Sequence, residues 1–290
     1  MKNALLDFEI RPATILAGEY EGHQHVSVLG HVMGTHAESW LGIPPTHQLA
    51  FLRFAINLVV EDDRFVRAYI MFDLIDMMRQ AGFYPLRTMP GSIEQWAFPP
   101  GHHGFTLVSG EPAQSVRSLA IVREMQRGLP DASEVVDRAS AAAAHSPHWA
   151  EHMNWFGPAG IGSSRGMHGF RDRHGALFLK AFPDRSGIPR DRNGPDERPG
   201  HFCEIGDARW VMTAGWPAMR GTHTGGQWLG LPPTGRLIEM RVADWYRLTP
   251  DNRIADNWVM IDIPHMLDQM GLDILNDLRF FVNPAKPRLD

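Results

Sequence analysis

One sequence pattern occurs twice in this chain, and the repeat limits the folds that the chain can adopt. Residues 34–46, GTHAESWLGIPPT, return as residues 221–234, GTHTGGQWLGLPPT. The likeness continues downstream at a nearly constant offset, so that residues 80–82 match residues 269–271. Two copies of one unit imply that residues kept in both serve the shared fold or a shared chemistry.

The composition is that of a globular protein of about two domains. The chain has 290 residues, of which 43% are hydrophobic and 21% charged. Its formal net charge of −5 provides no basic surface for nucleic acid or for an anionic membrane. No apolar run approaches the ~20 residues that span a bilayer. The first seven residues turn acidic too early for a secretory signal, so we expect a cytoplasmic protein.

The residues that usually hold metals and cofactors do not form recognisable motifs here. Cys203 is the only cysteine, which excludes an internal disulfide and a cysteine-based metal site. The 15 histidines include no His-Glu-x-x-His pair, and His102-His103 lies in a Pro/Gly-rich stretch. There is also no phosphate-binding glycine loop, dinucleotide fingerprint or Gly-x-Ser-x-Gly elbow. We expect neither a metal ion nor an organic cofactor.

The second copy reads as an antiparallel sheet closed by a helix. Residues 209–219, 236–248 and 253–262 are rich in Val, Ile, Met, Trp and Tyr, and turn sequences separate them. Pro264 then begins a short helix, since proline is favoured in a helix's first turn. The pattern predicts three long strands that form a curled meander.

Three helices are predicted upstream of this sheet, over residues 131–144, 147–156 and about 164–182. The first begins at Asp131, with a glutamate three residues later, as in a capping box. Residues 184–200 are crowded with Pro, Gly, Arg and Asp, which predicts a long exposed loop.

The first copy is the less complete one. Its sheet begins near Phe8 or His23, which leaves no room for preceding helices. We therefore expect the first copy to cover its sheet against the other domain or a second subunit. The predicted organisation is a reduced domain over residues 1–90, a linker with an amphipathic helix (111–126) over residues 91–130, and a complete domain over residues 131–290.

Two aspartates are the first candidates for chemistry. Asp73 and Asp262 each end an apolar strand, where a poorly hydrated carboxylate has a raised pKa and can act as a general acid or base. An aspartate just before a helix is also a preferred N-cap, and Asp262 precedes Pro264 at the right distance. The sequence leaves both roles open, and the two roles can coexist.

Histidines and arginines recur at matching positions of the two copies. His36 and His223 follow Gly-Thr at the end of a strand, where each could face the carboxylate or simply bond the backbone of a turn. Arg53 and Arg241 lie in the middle of strands. A buried arginine needs a carboxylate or a substrate oxygen as its partner. If the partner is structural, Asp244 is one nearby candidate.

Large side chains of the second sheet form a third candidate set. Such side chains wall a pocket for a flat or apolar ligand, or fill a core, which is the more frequent role. The set consists of Trp210, Trp216, Trp228, Trp245, Trp258 and Met260.

The motifs GTHTG at 221–225, WLG at 228–230, PPTGR at 232–236 and LDQMG at 267–271 resemble those of the SnoaL-like polyketide cyclase family. This family belongs to the wider nuclear transport factor two-like superfamily. The resemblance implies an α+β fold in which a cone-shaped, curved antiparallel sheet packs on N-terminal helices around an apolar pocket. It further implies a duplicated fold, with a complete second copy and a first copy that lacks its helices.

The resemblance also implies a reaction. Characterised cyclases of this type close a ring by intramolecular aldol condensation without a metal or organic cofactor. Their acid/base aspartate corresponds by motif to Asp262 here, and to Asp73 in the first copy. We therefore expect an acid/base enzyme (a cyclase, isomerase or lyase) acting next to a carbonyl of a small organic substrate, with His223 or Arg241 polarising the oxygen.

The alternative is a non-catalytic protein of the same fold that binds a small ligand or serves assembly. In this second hypothesis Asp262 only caps a helix. The superfamily also favours a homodimer formed through the outer face of the sheet.

Overall fold

The computed structural model describes residues 1–87, 89–93, 96–98, 111–127, 147–187 and 200–282. The helix predicted over residues 131–144 lies outside this set, as do residues 99–110 of the predicted linker and residues 188–199 of the predicted loop. Within the described residues, no helix is long and apolar enough to cross a membrane.

The first sheet consists of four antiparallel strands in chain order. They are β1 (Leu5–Tyr20), β2 (His23–His36), β3 (Leu49–Glu61) and β4 (Arg64–Phe72). Two-residue turns join β1 to β2 and β3 to β4, and both turn residues of each have positive φ, as tight hairpins require. Helix α1 (Leu74–Gln80) follows β4. We call residues 5–80 the first unit.

The second sheet has seven strands in the order β6-β5-β11-β10-β9-β7, with β8 also paired to β9. They are β5 (Trp149–Phe156), β6 (Ser164–Arg165), β7 (Ser186–Gly187), β8 (His201–Asp207), β9 (Trp210–Thr222), β10 (Leu237–Leu248) and β11 (Ile254–Ile261). Register shifts in β9–β10 and β10–β11 mark the irregularities that bend such a sheet.

Five further helical segments are described. They are α2 (Pro112–Arg127), α3 (Gly166–Phe170), α4 (Ala176–Ala181), α5 (Ile263–Gln269) and α6 (Ile274–Val282), with a π-helical turn (Arg171–Gly175) joining α3 to α4. The helices predicted over residues 111–126 and 164–182 correspond to α2 and to the α3–α4 segment. We call residues 149–269 the second unit. Curved, mainly antiparallel sheets with few helices confirm the predicted α+β class.

The helix predicted over residues 147–156 is wrong, because this segment forms strand β5 parallel to β11. Its aromatic residues have low helix propensity and fit a sheet. Pairing with β11 also satisfies backbone groups that an unpaired edge of β11 would leave exposed.

The two sheets pack face to face through one apolar layer. The first unit contributes Leu16, Leu29, Ala55 and Met71, and the second unit contributes mainly Trp210, Met212, Ala243, Trp245, Trp258 and Met260. The ring of Trp258 stacks on Trp210 and Phe156, with centroids 5.3 and 5.2 Å apart. The first copy thus covers its sheet against the second, as its missing helices led us to expect.

The repeated WLG sequence forms the same turn in both units. Trp40 and Ile43 exchange two backbone hydrogen bonds, and Trp228 and Leu231 do the same. The leucine of each turn has φ near +50° and the glycine has φ above +80°. A side chain at the glycine position would be strained, so this part of the repeat is explained by the backbone.

We expect Trp258→Ala to lower the free energy of unfolding by about 3–5 kcal/mol, because the change empties a fully buried site between the sheets. Denaturant unfolding measures the loss, and Val116→Ala on the exposed face of α2 is the control. A loss below about 1 kcal/mol would show that the layer between the sheets is loosely packed.

Candidate active site

A mostly apolar cavity of about 160 Å³ is enclosed by the second unit and the end of helix α2. Strands β10 and β11 form its floor, and the α3–α4 segment, β5 and the end of α2 form its walls. Convergent polar groups inside an apolar cavity are the usual mark of a small-molecule site. Those polar groups come from Gln126, His174, Arg185, His201, Asp244, Tyr246 and Asn257.

The two floor strands each present alternate residues to the cavity. Asp244 and Tyr246 of β10 face it, as do Asn257, Val259 and Ile261 of β11. The residues between them belong to the layer that packs on the first unit. Because successive side chains of a strand point to opposite faces, this alternation decides which residues can meet a ligand.

Aromatic rings form the wall opposite the floor. His174 lies on the π-helical turn, and its imidazole stacks on the indole of Trp155, with centroids 4.3 Å apart and planes 13° apart. Phe178 and Trp228 lie beside it. Burial, together with the charge of Arg185, lowers the pKa of His174 to about 3, so this imidazole is neutral at physiological pH.

Asp244 is the acidic group of the cavity. Protein atoms surround its carboxyl group. The residue is nevertheless only half-buried, because one side of it faces the cavity. Asn257 Nδ2 donates a hydrogen bond to Asp244 Oδ1 (3.2 Å), and the Tyr246 hydroxyl lies within bonding reach. Burial raises the pKa of Asp244 to about 6 against these hydrogen bonds and the nearby His201. A carboxyl with this pKa both takes and gives protons near neutral pH.

Helix α2 anchors the polar end of the cavity. Gln126 Nε2 donates to Thr213 Oγ1 (3.0 Å) and to the Tyr246 hydroxyl oxygen (3.3 Å). Burial raises the pKa of Tyr246 well above its ordinary value, so its phenol stays protonated. The helix predicted as part of a linker therefore belongs to the wall of the site.

Asp262 is not among the residues that line this cavity. It caps helix α5: its Oδ1 accepts a hydrogen bond from the His265 amide (3.1 Å), and its Oδ2 accepts one from Arg241 Nη1 (3.1 Å). On β10, Arg241 lies on the same face of the strand as Trp245. Its guanidinium group also lies over the ring of Trp216, 5.0 Å from the ring centroid. This corrects the predicted placement of Asp262 and Arg241, which face the first unit's side of the sheet.

The first unit repeats this arrangement. Asp73 caps α1, with its Oδ1 accepting from the Asp76 amide (3.1 Å) and its Oδ2 accepting from Arg53 Nη1 (3.1 Å). The Ala159 amide also donates to Asp73 Oδ2 (2.9 Å). Burial raises the pKa of Asp73, opposed by the charge of Arg53. The repeated Arg–Asp pair is thus a joint that ties the next-to-last strand of each unit to its closing helix.

The repeated histidines lie at the ends of strands: His36 is the last residue of β2, and His223 follows the last residue of β9. The His223 ring contacts the Gly226 carbonyl oxygen (2.8 Å) and Thr234 Oγ1 (3.3 Å), which is the turn role that the sequence left open. Burial lowers the pKa of both His36 and His223. Neither histidine is among the residues that line the cavity.

Of the predicted ligand-contacting residues, the structure places Trp228 in the cavity wall. Four others lie in the layer between the sheets, which is the core role that the sequence left open beside ligand contact: Trp210, Trp245, Trp258 and Met260. Trp216 packs against that layer and contacts Tyr69 of the first unit, with centroids 5.7 Å apart. Both faces of these strands are apolar, so composition alone did not distinguish them.

The polar residues of the floor have no polar counterparts in the first unit. At the offset of the repeat, Asp244 and Tyr246 correspond to Ile56 and Leu58, and Asn257 corresponds to Ala68. Within the described part of the chain, no three His, Cys, Asp or Glu side chains lie close enough to hold a metal ion. The titratable groups of the cavity are therefore particular to the second unit.

Comparison with known proteins bears on the second unit. The family model described as SnoaL-like polyketide cyclase matches residues 195–270. This segment is SnoaL-like. The match confirms the resemblance inferred from the repeated motifs, and it includes β8 to β11 and α5. No curated protein matches the chain.

Solved structures overlap with about half of this chain. A SnoaL-like protein from Jannaschia sp. CCS1 is 11% identical and covers 56% of this chain and 97% of its own, with a TM-score of 0.43. IdmH from Streptomyces antibioticus is 19% identical and covers 53% and 99%, with a TM-score of 0.39. An NTF2-like protein from Burkholderia xenovorans LB400 is 12% identical and covers 54% and 97%, with a TM-score of 0.37.

Asp262→Ala is expected to destabilise the protein by about 1–3 kcal/mol, because it removes an N-cap and leaves Arg241 without its carboxylate. Asp262→Asn keeps a capping oxygen and is expected to cost less than about 1 kcal/mol. Thermal and denaturant unfolding of both variants measure this difference. Equal losses in the two variants would show that the ion pair, and not the cap, carries the stability.

Proposed function

We propose that the second unit is an acid/base enzyme that acts next to the carbonyl of a small organic substrate, with Asp244 as the proton-transfer group. The observation that carries the proposal is a carboxyl group on the wall of an apolar cavity, where burial raises its pKa to about 6. The SnoaL-like match over residues 195–270 supports a reaction of the cyclase or isomerase type. We assign the acid/base role to Asp244 in this proposal, in place of Asp262, because Asp244 lines the cavity and Asp262 does not.

In the proposed reaction the Asp244 carboxylate takes a proton from the carbon next to the substrate carbonyl. The electron pair of that C–H bond forms a new C=C bond, and negative charge moves to the carbonyl oxygen. In an isomerisation, protonated Asp244 returns the proton to a different carbon. In a cyclisation, the nucleophilic carbon attacks a second carbonyl of the same molecule, and Asp244 protonates the new alkoxide. No step consumes a co-reactant.

The cavity size limits the substrate. An apolar cavity of roughly 150 Å³ holds one benzene molecule, and this cavity measures about 160 Å³. The flat faces of His174 and the neighbouring indoles suit a planar ring. We therefore propose a substrate with about one ring, such as a cyclic or aryl ketone, in place of a fused multi-ring polyketide.

The second candidate function is non-catalytic binding of a small apolar ligand. It is favoured by the apolar lining of the cavity and by the neutral state of His174. In that case Asp244 and Asn257 only orient a ligand hydroxyl or amide group. Proton exchange at carbon, which binding alone does not cause, separates the two functions.

The predicted homodimer needs a surface other than the outer face of the second sheet, because the first unit covers that face. We propose that the first unit occupies the place that a partner subunit would take, so that one chain forms the whole assembly. A cytoplasmic location stays a prediction from the sequence.

Wild-type protein in D₂O is expected to speed deuterium uptake at the carbon next to the carbonyl of one-ring ketones, and Asp244→Asn is expected to lose this by about 10²–10⁴-fold. NMR of a ketone panel measures uptake without knowledge of the natural substrate. Asp262→Asn is the matched control and should retain most of the rate. Equal rates in wild type and Asp244→Asn would reject Asp244 as the base.

The exchange rate should rise with pH through about 6 and then level off, because the base must be ionised and burial places the pKa of Asp244 there. A pH–rate profile from pH 4 to 8.5 tests this expectation. A profile that is already flat at pH 5 would contradict the raised pKa.

Asp244→Asn is expected to stabilise the protein above pH 7 by about 1–3 kcal/mol. The pKa of Asp244 is raised from 3.8 to about 6, so the folded protein holds this proton more tightly than the unfolded chain. The stabilisation that this provides is complete below pH 3.8 and is lost as pH rises through about 6. Asparagine has no such loss, and unfolding at pH 5 and pH 8 compares the two proteins. A destabilised variant at pH 8 would contradict the account.

A further inference from the structure

We propose that His201 is a second functional group of the cavity, whose imidazolium form donates a hydrogen bond from Nε2 to the carbonyl oxygen of the bound substrate. This inference rests on the proposed function and names the group that polarises the carbonyl. The sequence motifs predicted His223 or Arg241 for that role, but neither residue lines the cavity.

The contacts of His201 fix the orientation of its ring. Nδ1 lies 2.8 Å from Glu204 Oε1, and both side chains are at least 95% buried. Despite burial, which acts in the opposite direction, His201 and Arg123 lower the pKa of Glu204 to about 2. An ionised carboxylate only accepts hydrogen bonds, so Nδ1 carries the proton of this contact. Donation from Nε2 as well requires the imidazolium form of His201, in which both ring nitrogens carry a proton and the ionised Glu204 is the counter-charge. His201 lines the cavity, and the Nε2 edge of its ring is the one that Glu204 does not occupy.

Helix α2 supplies the third member of the group. Arg123 Nε donates to Glu204 Oε2 (2.6 Å), so each carboxylate oxygen has its own cationic or imidazole partner. The helix approaches β8 closely at Gly206, where an added Cβ would lie 2.4 Å from the Ser115 carbonyl oxygen. Arg123 lies outside the SnoaL-like segment, so a helix between the two units completes the site.

His201 and Asp244 have complementary roles in this arrangement. His201 lies close enough to Asp244 for its charge to lower the pKa of that carboxyl, while burial raises it. When the proton moves from carbon to Asp244, the substrate oxygen gains the negative charge. The Nε2–H group of His201 donates to that oxygen and keeps its proton, and the charge returns to carbon when Asp244 gives its proton back. Donors placed where charge develops are the larger part of many catalytic effects.

Glu204 and Arg123 act through His201 and are positioning residues. A purely structural role for this buried group is the competing explanation, since ion pairs in a protein interior often serve the fold. The two roles differ in their response to the charge of a ligand. A structural group affects neutral and anionic ligands alike, whereas a hydrogen-bond donor at the substrate oxygen favours the anion.

Binding of 4-nitrophenol at pH 8 tests the inference, because the phenolate oxygen resembles the charged substrate oxygen and its absorbance reports ionisation. Nitrobenzene, a neutral ring of nearly the same size, is the matched probe. We expect His201→Gln to weaken phenolate binding by about 10–100-fold, the strength of hydrogen bonds to charged groups, with little effect on nitrobenzene. An unchanged ratio of the two affinities would overturn the proposal.

Two further variants separate positioning from folding and from the proposed function. Glu204→Gln should weaken phenolate binding less than His201→Gln, and ¹⁵N NMR should show that Nδ1 of His201 loses its fixed proton. An Nδ1 signal unchanged by Glu204→Gln would reject the positioning role. Asp244→Asn should lose deuterium exchange yet bind the phenolate at least as tightly, so failure of the base and failure of the His201 donor give different results.

Discussion

The packing of two sheets against each other is the constraint on which the rest of this structure depends. The second sheet places an indole- and methionine-rich face against the first unit, and this contact buries Trp245 and Trp258 completely. With that face covered, the opposite face of β10 and β11 is the one left to hold a ligand. The apolar layer also excludes water from behind the floor of the cavity. The desolvation that raises the pKa of Asp244 therefore depends on a neighbouring unit that contributes no cavity-lining residue.

The residues that the two copies share are not the residues that we propose for the chemistry. The residues kept in both copies form backbone turns and the joint between an arginine on the next-to-last strand and an N-capping aspartate. Asp244, whose counterpart is Ile56, lies outside the repeated set. A duplicated unit can keep its fold with these joints alone, while one copy gains polar residues in its floor and the other becomes a cover. The buried pair in the first unit and the partly exposed pair in the second have the same geometry, which indicates a structural role for both.

The sequence predicted the fold class and the strands of the repeat, because its strongest pattern is structural, but it did not predict β5. Strand spacing, turn residues and Pro264 predicted β9 to β11 and α5 within a few residues. It was insufficient for the site because β10 and β11 are apolar on both faces, so alternation could not tell the cavity face from the packing face. The residues that the sequence predicted for the site in this region, including Trp258, Met260 and Asp262, occupy alternate positions of the chain. They therefore lie on the face that packs against the first unit. The sequence did contain one indication of the cavity face. Asp244 and Tyr246, two residues apart in an apolar strand, are polar and lie on the opposite face from Trp245.

The central claim is that the carboxyl group of Asp244 holds a proton close to neutral pH because protein encloses it beside an apolar cavity. A ¹³C NMR titration of the aspartate carboxyl signals, with Asp244→Asn used to assign the resonance, measures this pKa directly. The account predicts a midpoint of about 6. A midpoint near the ordinary value of 3.8 would contradict it, and would leave the cavity as a site for binding alone.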